Sequence, residues 1–127
     1  MVKKVLIVDD EQEVVDFLEK GLKREGFEVI CALDGLEAKG KISQEDPDVI
    51  ILDLLMPKLD GWGVLNWLRK DAKLTIPTII VSAKGDLEDM QKSYKLDADT
   101  YLIKPVNIKD VLNAIRMLFS LNQSEDN

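Results

Sequence analysis

Short unbroken aliphatic runs alternate along this chain with longer stretches whose apolar residues recur every three or four positions. The first kind predicts strands buried on both faces, the second amphipathic helices. "KVLIV" (Lys4–Val8) predicts the first strand. Val14, Val15, Leu18 and Leu22 then mark a helix from Glu11 to about Glu25, with Gly26 as its stop. "FEVICA" (Phe27–Ala32) alternates more, as a strand nearer a sheet edge does, and a helix from Leu36 to Gln44 follows it. "VIILD" (Val49–Asp53) is again a doubly buried strand. After the loop "LLMPKLDG", Trp62–Ala72 reads as a helix with Val64, Leu65 and Leu68 inward and Trp67 partly outward. "PTIIVSA" (Pro77–Ala83) predicts a fourth strand and Leu87–Leu96 a polar helix. "TYLIK" (Thr100–Lys104) predicts a short fifth strand before Pro105, and Ile108–Leu121 an amphipathic closing helix.

A strand-then-helix unit repeated five times implies an α/β domain, a parallel sheet covered on both faces. Right-handed crossovers favour a three-layer doubly wound fold, with the flavodoxin-like strand order 2-1-3-4-5 as the expected topology. The domain is expected over residues 1–121, followed by a polar tail, "NQSEDN" (122–127), that should fray.

Charge and composition narrow the chemistry. The net charge is −7, from 17 basic and 24 acidic residues, which argues against nucleic acid or an anionic membrane as partner. There is no His and only one Cys, so His-based metal sites, His general bases and Cys-rich zinc sites are excluded. The lone Cys31 cannot form an internal disulfide, which fits a reducing cytoplasm. No apolar run approaches the roughly 18 residues of a membrane span, and "MVKKVLIVDD" does not read as a signal peptide.

In such sheets functional groups gather at the carboxyl ends of the strands. Those ends carry Asp9 and Asp10 after the first strand, Asp53 at the third, Ser82 at the fourth and Lys104 at the fifth. If the first and third strands are neighbours, three carboxylates converge and cannot all ionise comfortably without a counter-charge. Lys104 supplies one positive charge and leaves a deficit. Mg2+ with oxygen ligands and several waters would fill it, and would leave open positions for phosphate oxygens. Lys104 and Ser82 could then hold a phosphoryl group, and one carboxylate could act as nucleophile to give an acyl phosphate. Each residue also has a plainer reading. Asp9 and Asp10 can cap a helix, Glu11 can fill its first turn, Asp53 can sit in a turn, and Tyr101 can be an ordinary strand aromatic.

Taken together, "VDDE", "ILDLLMPKLDG", "VSA" and "DADTYLIKP", in that order, resemble the receiver domain of two-component response regulators, a family that includes single-domain chemotaxis regulators. The resemblance extends from Lys3 to Leu121. It implies that Asp53 is the phosphoacceptor, taking its phosphoryl group from a phosphohistidine on a partner histidine kinase or phosphotransfer protein, or from a small phosphodonor. It implies that Asp9, Asp10, Asp53 and the backbone carbonyl of Leu55 hold Mg2+, and that Lys104 pairs with phosphoryl oxygens. Ser82 would swing to the phosphoryl group, Tyr101 would move inward behind it, and the Lys104–Pro105 peptide would be cis. The output would be a downstream protein or an output domain, reached through the face made by the fourth helix, fifth strand and fifth helix.

Some positions depart from the family pattern. Asp97 stands where Gly is frequent before the "ADDY"-like segment. Thr100 and Ala114 replace charged residues that pair in one common type of family dimer, which argues for a monomer in the unphosphorylated state. Leu55 and Lys84 flank the site where the family tunes loss of the phosphoryl group. An aspartyl-nucleophile phosphatase would need a second Asp at Leu55, and a flavin carrier would not place "DDEQE" against a phosphate.

Overall fold

The computed structural model describes residues 3–125, with side chains through residue 120. Five parallel strands, β1 (Lys4–Val8), β2 (Glu28–Ala32), β3 (Val49–Leu52), β4 (Thr78–Ser82) and β5 (Thr100–Ile103), form one sheet in the order β2-β1-β3-β4-β5. Between them run α1 (Gln12–Arg24), α2 (Gly35–Glu45), α3 (Gly61–Asn66) and α4 (Leu87–Lys95), with α5 (Ile108–Glu125) last.

Alternation along each central strand builds two cores, because successive side chains point to opposite faces. Val5, Ile7, Val49, Ile51, Ile79 and Val81 face one way, onto Val15, Leu18 and Leu22 of α1 and Val111 and Ile115 of α5. Leu6, Val8, Ile50, Leu52 and Ile80 face the other way, onto Ile42 of α2, Val64 and Leu65 of α3, and Leu68 just beyond it. This explains the unbroken aliphatic runs: a strand covered on both faces has no side on which to place polar residues. At the sheet's edge, β2 is only half-buried over Val29–Cys31.

Two helices differ from the expected pattern. The third does not run evenly to Ala72. From Trp67 to Asp71 it widens into a π turn, closed by Ala72 N–H donating to the Trp67 carbonyl at 2.8 Å. Arg69 in that turn is 11% exposed, and its guanidinium gathers the carbonyls of Leu74, Ile76 and Asp97 and the carboxylate of Asp99. The fifth helix does not end at Leu121. It runs to Glu125, with no Gly or Pro to interrupt Asn122–Glu125, and residues 126–127 lie outside those described. Asp97, where Gly was the familiar residue, has φ 67°, the left-handed conformation that short polar side chains tolerate. Among the described residues no helix is long and apolar enough to cross a membrane.

Candidate functional site

Register brings the acids together. Val8 pairs with Ala32 on one side and with Leu52 on the other, so β1 and β3 end level. The ladder then continues one residue past each strand. Asp9 N–H donates to the Ala32 carbonyl at 3.1 Å and Asp53 N–H to the Val8 carbonyl at 2.9 Å. Asp9 and Asp53 are thereby fixed by the sheet itself, and they are 2% and 4% exposed. On the far side Ser82 pairs with Ile103, and Lys104 N–H donates to the Ser82 carbonyl at 2.8 Å, which sets Lys104 at the same edge. The Lys104–Pro105 peptide is cis.

Each buried carboxylate divides its two oxygens between backbone and ammonium. Asp9 accepts from Glu11 N–H on Oδ1 at 2.9 Å and faces Lys104 Nζ with Oδ2 at 2.9 Å. Asp53 accepts from Leu54 N–H on Oδ1 at 2.7 Å and faces Lys104 with Oδ2 at 3.2 Å. Burial raises the Asp9 carboxyl above the usual carboxylate range, with the like charge of Asp53 adding to it. The hydrogen bonds from Lys104 and Glu11 pull the other way. For Lys104, burial favours the neutral amine. The bonds to Asp9 and Glu11 and the charge of Asp53 outweigh that and hold the group above the ordinary lysine value.

Asp10 and Glu11 complete the cluster from the exposed rim. One oxygen from each of Asp9, Asp10, Glu11 and Asp53 lies within 4.8 Å of the others. Four acids around one ammonium leave a surplus of negative charge and a compact set of hard oxygen donors, which suits a divalent cation such as Mg2+. Leu55 lies in the β3–α3 loop two residues after Asp53, with its side chain in solvent. Gly61 closes that loop: its N–H donates to the Leu54 carbonyl at 2.9 Å, and a Cβ there would stand 2.2 Å from the Asp53 carbonyl.

Ser82 is fully buried, and its Oγ accepts from Lys84 N–H at 3.3 Å. The Tyr101 hydroxyl donates to the Lys84 carbonyl, the same residue whose N–H meets Ser82 Oγ. Tyr101 thereby reaches the loop that follows β4. Burial, then the charge of Asp89, raises its phenol above the usual value.

Two features of the site were not visible in the sequence. Glu11 is not the plain helix starter expected: it holds the N-cap position of α1, but its carboxylate makes no capping bond and reaches Lys104 at 3.1 Å. Trp62 joins α3 to α4, its Nε1–H donating to Ser93 Oγ at 3.1 Å while Lys92 Nζ lies 4.0 Å above the ring. "VDDE" displayed Glu11 openly, but its partner lies 93 residues away, beyond any local signal.

Residues 5–116 match the response regulator receiver domain family. The chain is 46% identical over 114 residues to a probable transcriptional regulator ycf27 of Guillardia theta, covering 90% of this chain and 44% of that protein. It is 41% identical over 125 residues to the alkaline phosphatase synthesis transcriptional regulatory protein PhoP of Bacillus subtilis, covering 98% of this chain and 51% of that protein. The chain thus spans about half the length of the curated relatives it matches. A CheY-like response regulator receiver domain protein from Methanospirillum hungatei superposes with a TM-score of 0.91 at 30% identity, covering 98% of this chain and 99% of that one.

Proposed function

The chain belongs to the response regulator receiver domain family, whose members are phosphorylation-activated switches rather than conventional enzymes, and on that premise we propose that Asp53 is the residue that takes the phosphoryl group. One observation carries the assignment. Asp53 directly follows the central strand β3, between the neighbouring strands that lead to Asp9 and carry Ser82, and its Oδ2 meets the Lys104 ammonium at 3.2 Å. In the transfer, an Asp53 oxygen attacks phosphorus. The new O–P bond forms as the bond to the donor's leaving group breaks, with its electron pair going to imidazole from a phosphohistidine or to acetate from acetyl phosphate. Lys104 meets the phosphoryl oxygens, Ser82 donates a hydrogen bond to them, and Tyr101 packs behind Ser82.

Asp9, Asp10 and Asp53, with the Leu55 carbonyl, would hold Mg2+. The excess of acids over the single ammonium supports this, and the ion when bound offsets phosphoryl charge. The phosphodonor is a histidine kinase, a phosphotransfer protein or a small acyl phosphate. The readout passes through α4, β5 and α5 to a downstream protein or output domain, and the names of the relatives as transcriptional regulators favour an output of that kind. Neither nucleic acid nor membrane is assigned to this chain as a direct partner, and the unphosphorylated form is read as a monomer in the cytoplasm.

The test is direct. Incubation with Mg2+ and acetyl phosphate should add one phosphoryl group by intact mass, which hydroxylamine removes. EDTA or Asp53→Asn should prevent the addition. Equal labelling of Asp53→Asn would place the acceptor elsewhere.

A further inference from the structure

Glu11 sits at the N-cap of α1, yet the cap works without its side chain: the Glu11 backbone carbonyl accepts from Val14 and Val15 N–H. The carboxylate is spent on Lys104 instead. An ammonium has three N–H donors, and those of Lys104 face three carboxylates, Asp9 at 2.9 Å, Glu11 at 3.1 Å and Asp53 at 3.2 Å. A phosphoryl oxygen arriving for attack by Asp53 therefore meets an ammonium already shared among three carboxylates, two of them hydrogen-bonded, and it must compete with them for that charge. Asp9 and Asp53 are poor candidates to give way. Their side chains are 4% and 5% exposed, and each is held through its second oxygen by a backbone N–H. The Glu11 side chain is 62% exposed, so water receives its charge as soon as it lets go.

We propose that Glu11 is a gate on Lys104, occupying the ammonium between transfers and yielding it to the incoming phosphoryl oxygen, so that it slows phosphorylation of Asp53. The proposal rests on the reading of Asp53 as acceptor. Glu11 forms no bond to the phosphoryl group; it acts through Lys104, and its own charge at the mouth also repels an anionic donor. A shared ammonium explains why an acid at a helix N-cap turns away from the helix dipole that would otherwise hold it.

The decisive variant is Glu11→Gln, which keeps the side chain's size and removes its charge without stripping a cap. At saturating Mg2+ and limiting acetyl phosphate, its labelling rate by intact mass should exceed that of the wild type by about two- to fivefold, the range set by an exposed ion pair. The advantage should shrink toward unity as NaCl approaches about 1 M, where the screening length falls to about 3 Å. Mg2+ affinity without phosphodonor, followed by tryptophan fluorescence, should stay the same or weaken, because a negative charge has been removed. Faster labelling beside unimproved metal binding is a pair of changes that a purely structural role would not produce. Equal or slower labelling of Glu11→Gln, a gain insensitive to salt, or tighter Mg2+ binding would each overturn the gate. A wild type that takes no label would overturn the Asp53 reading itself.

Discussion

Replacing Arg69 by Met should cost about 3 kcal/mol of stability and leave the chemistry at Asp53 untouched. The guanidinium donates to Leu74 O and Ile76 O, both at 2.9 Å, to Asp97 O at 2.9 and 3.1 Å, and to Asp99 Oδ2 at 3.2 Å. Counted singly, hydrogen bonds from a charged donor at about 1.5–3 kcal/mol each would sum to roughly 10 kcal/mol. That sum is too large, because the contacts at Leu74, Asp97 and Asp99 are open to solvent and water can replace the lost donor. The contact at Ile76 is partly buried, so its carbonyl bears most of the desolvation penalty, about 1–3 kcal/mol. Loss of the Asp99 ion pair and of the geometry it fixes adds about 1 kcal/mol. Urea unfolding followed by circular dichroism should show the midpoint falling by about 1.5 M with little change in slope, for a slope of about 2 kcal/mol/M. Arg69→Lys should recover little, since one ammonium cannot span carbonyls from two loops. All these partners lie at the amino-terminal edge of the sheet, so the folded variant should take label from acetyl phosphate at the wild-type rate. A loss below about 1 kcal/mol, or a folded variant that no longer labels, would refute the reasoning.

Two further perturbations probe other parts of the fold. Gly61→Ala gains about 1 kcal/mol of helix propensity, but its Cβ would meet the Asp53 carbonyl at 2.2 Å and Leu54 Cα at 2.8 Å. Backbone cannot step aside as a flexible side chain can, so strain should win, with a net loss of about 1–2 kcal/mol in denaturant titrations and slower labelling of Asp53. Burial, reinforced by the nearby Glu19 carboxylate, pushes the Cys31 thiol from 9.0 up to about 11. The unfolded chain therefore releases this proton first, and stability should fall as pH rises from 9 to 11. Cys31→Ser should remove that part of the pH dependence, and equal slopes for the two proteins would contradict it.

The fold was legible because the strands are covered on both faces. "KVLIV" left no choice of face, and β1 begins and ends where the pattern placed it. The third strand stops at Leu52 rather than Asp53, although Asp53 N–H still donates to the Val8 carbonyl. Asp9, Asp53, Ser82 and Lys104 were legible because the ends of parallel strands converge, so a topology turns four scattered positions into one place. The π turn was not legible: its residues, "WLRKD", continue a helical pattern, and what selects the wider turn lies outside it. Arg69 reads locally as a surface charge, and only the folded loops supply its acceptors. Glu11 and the Trp62–Ser93 bond escaped for the same reason, each contact being made with a residue from another part of the chain.

Strand β1 has a wider consequence. Its four residues Val5–Val8 are each 0% exposed and alternate between the two cores, and the next residue is Asp9. A slip of one position in its pairing would exchange the contents of both cores at once. The acid's location is thus enforced by the least negotiable part of the molecule. The amide hydrogens of Asp9 and Asp53, tied to the Ala32 and Val8 carbonyls, belong to the same cooperative unit as the core. Their exchange with solvent should be as slow as global opening allows, whereas the exposed side chains of Asp10 and Glu11 at the rim can rearrange without it.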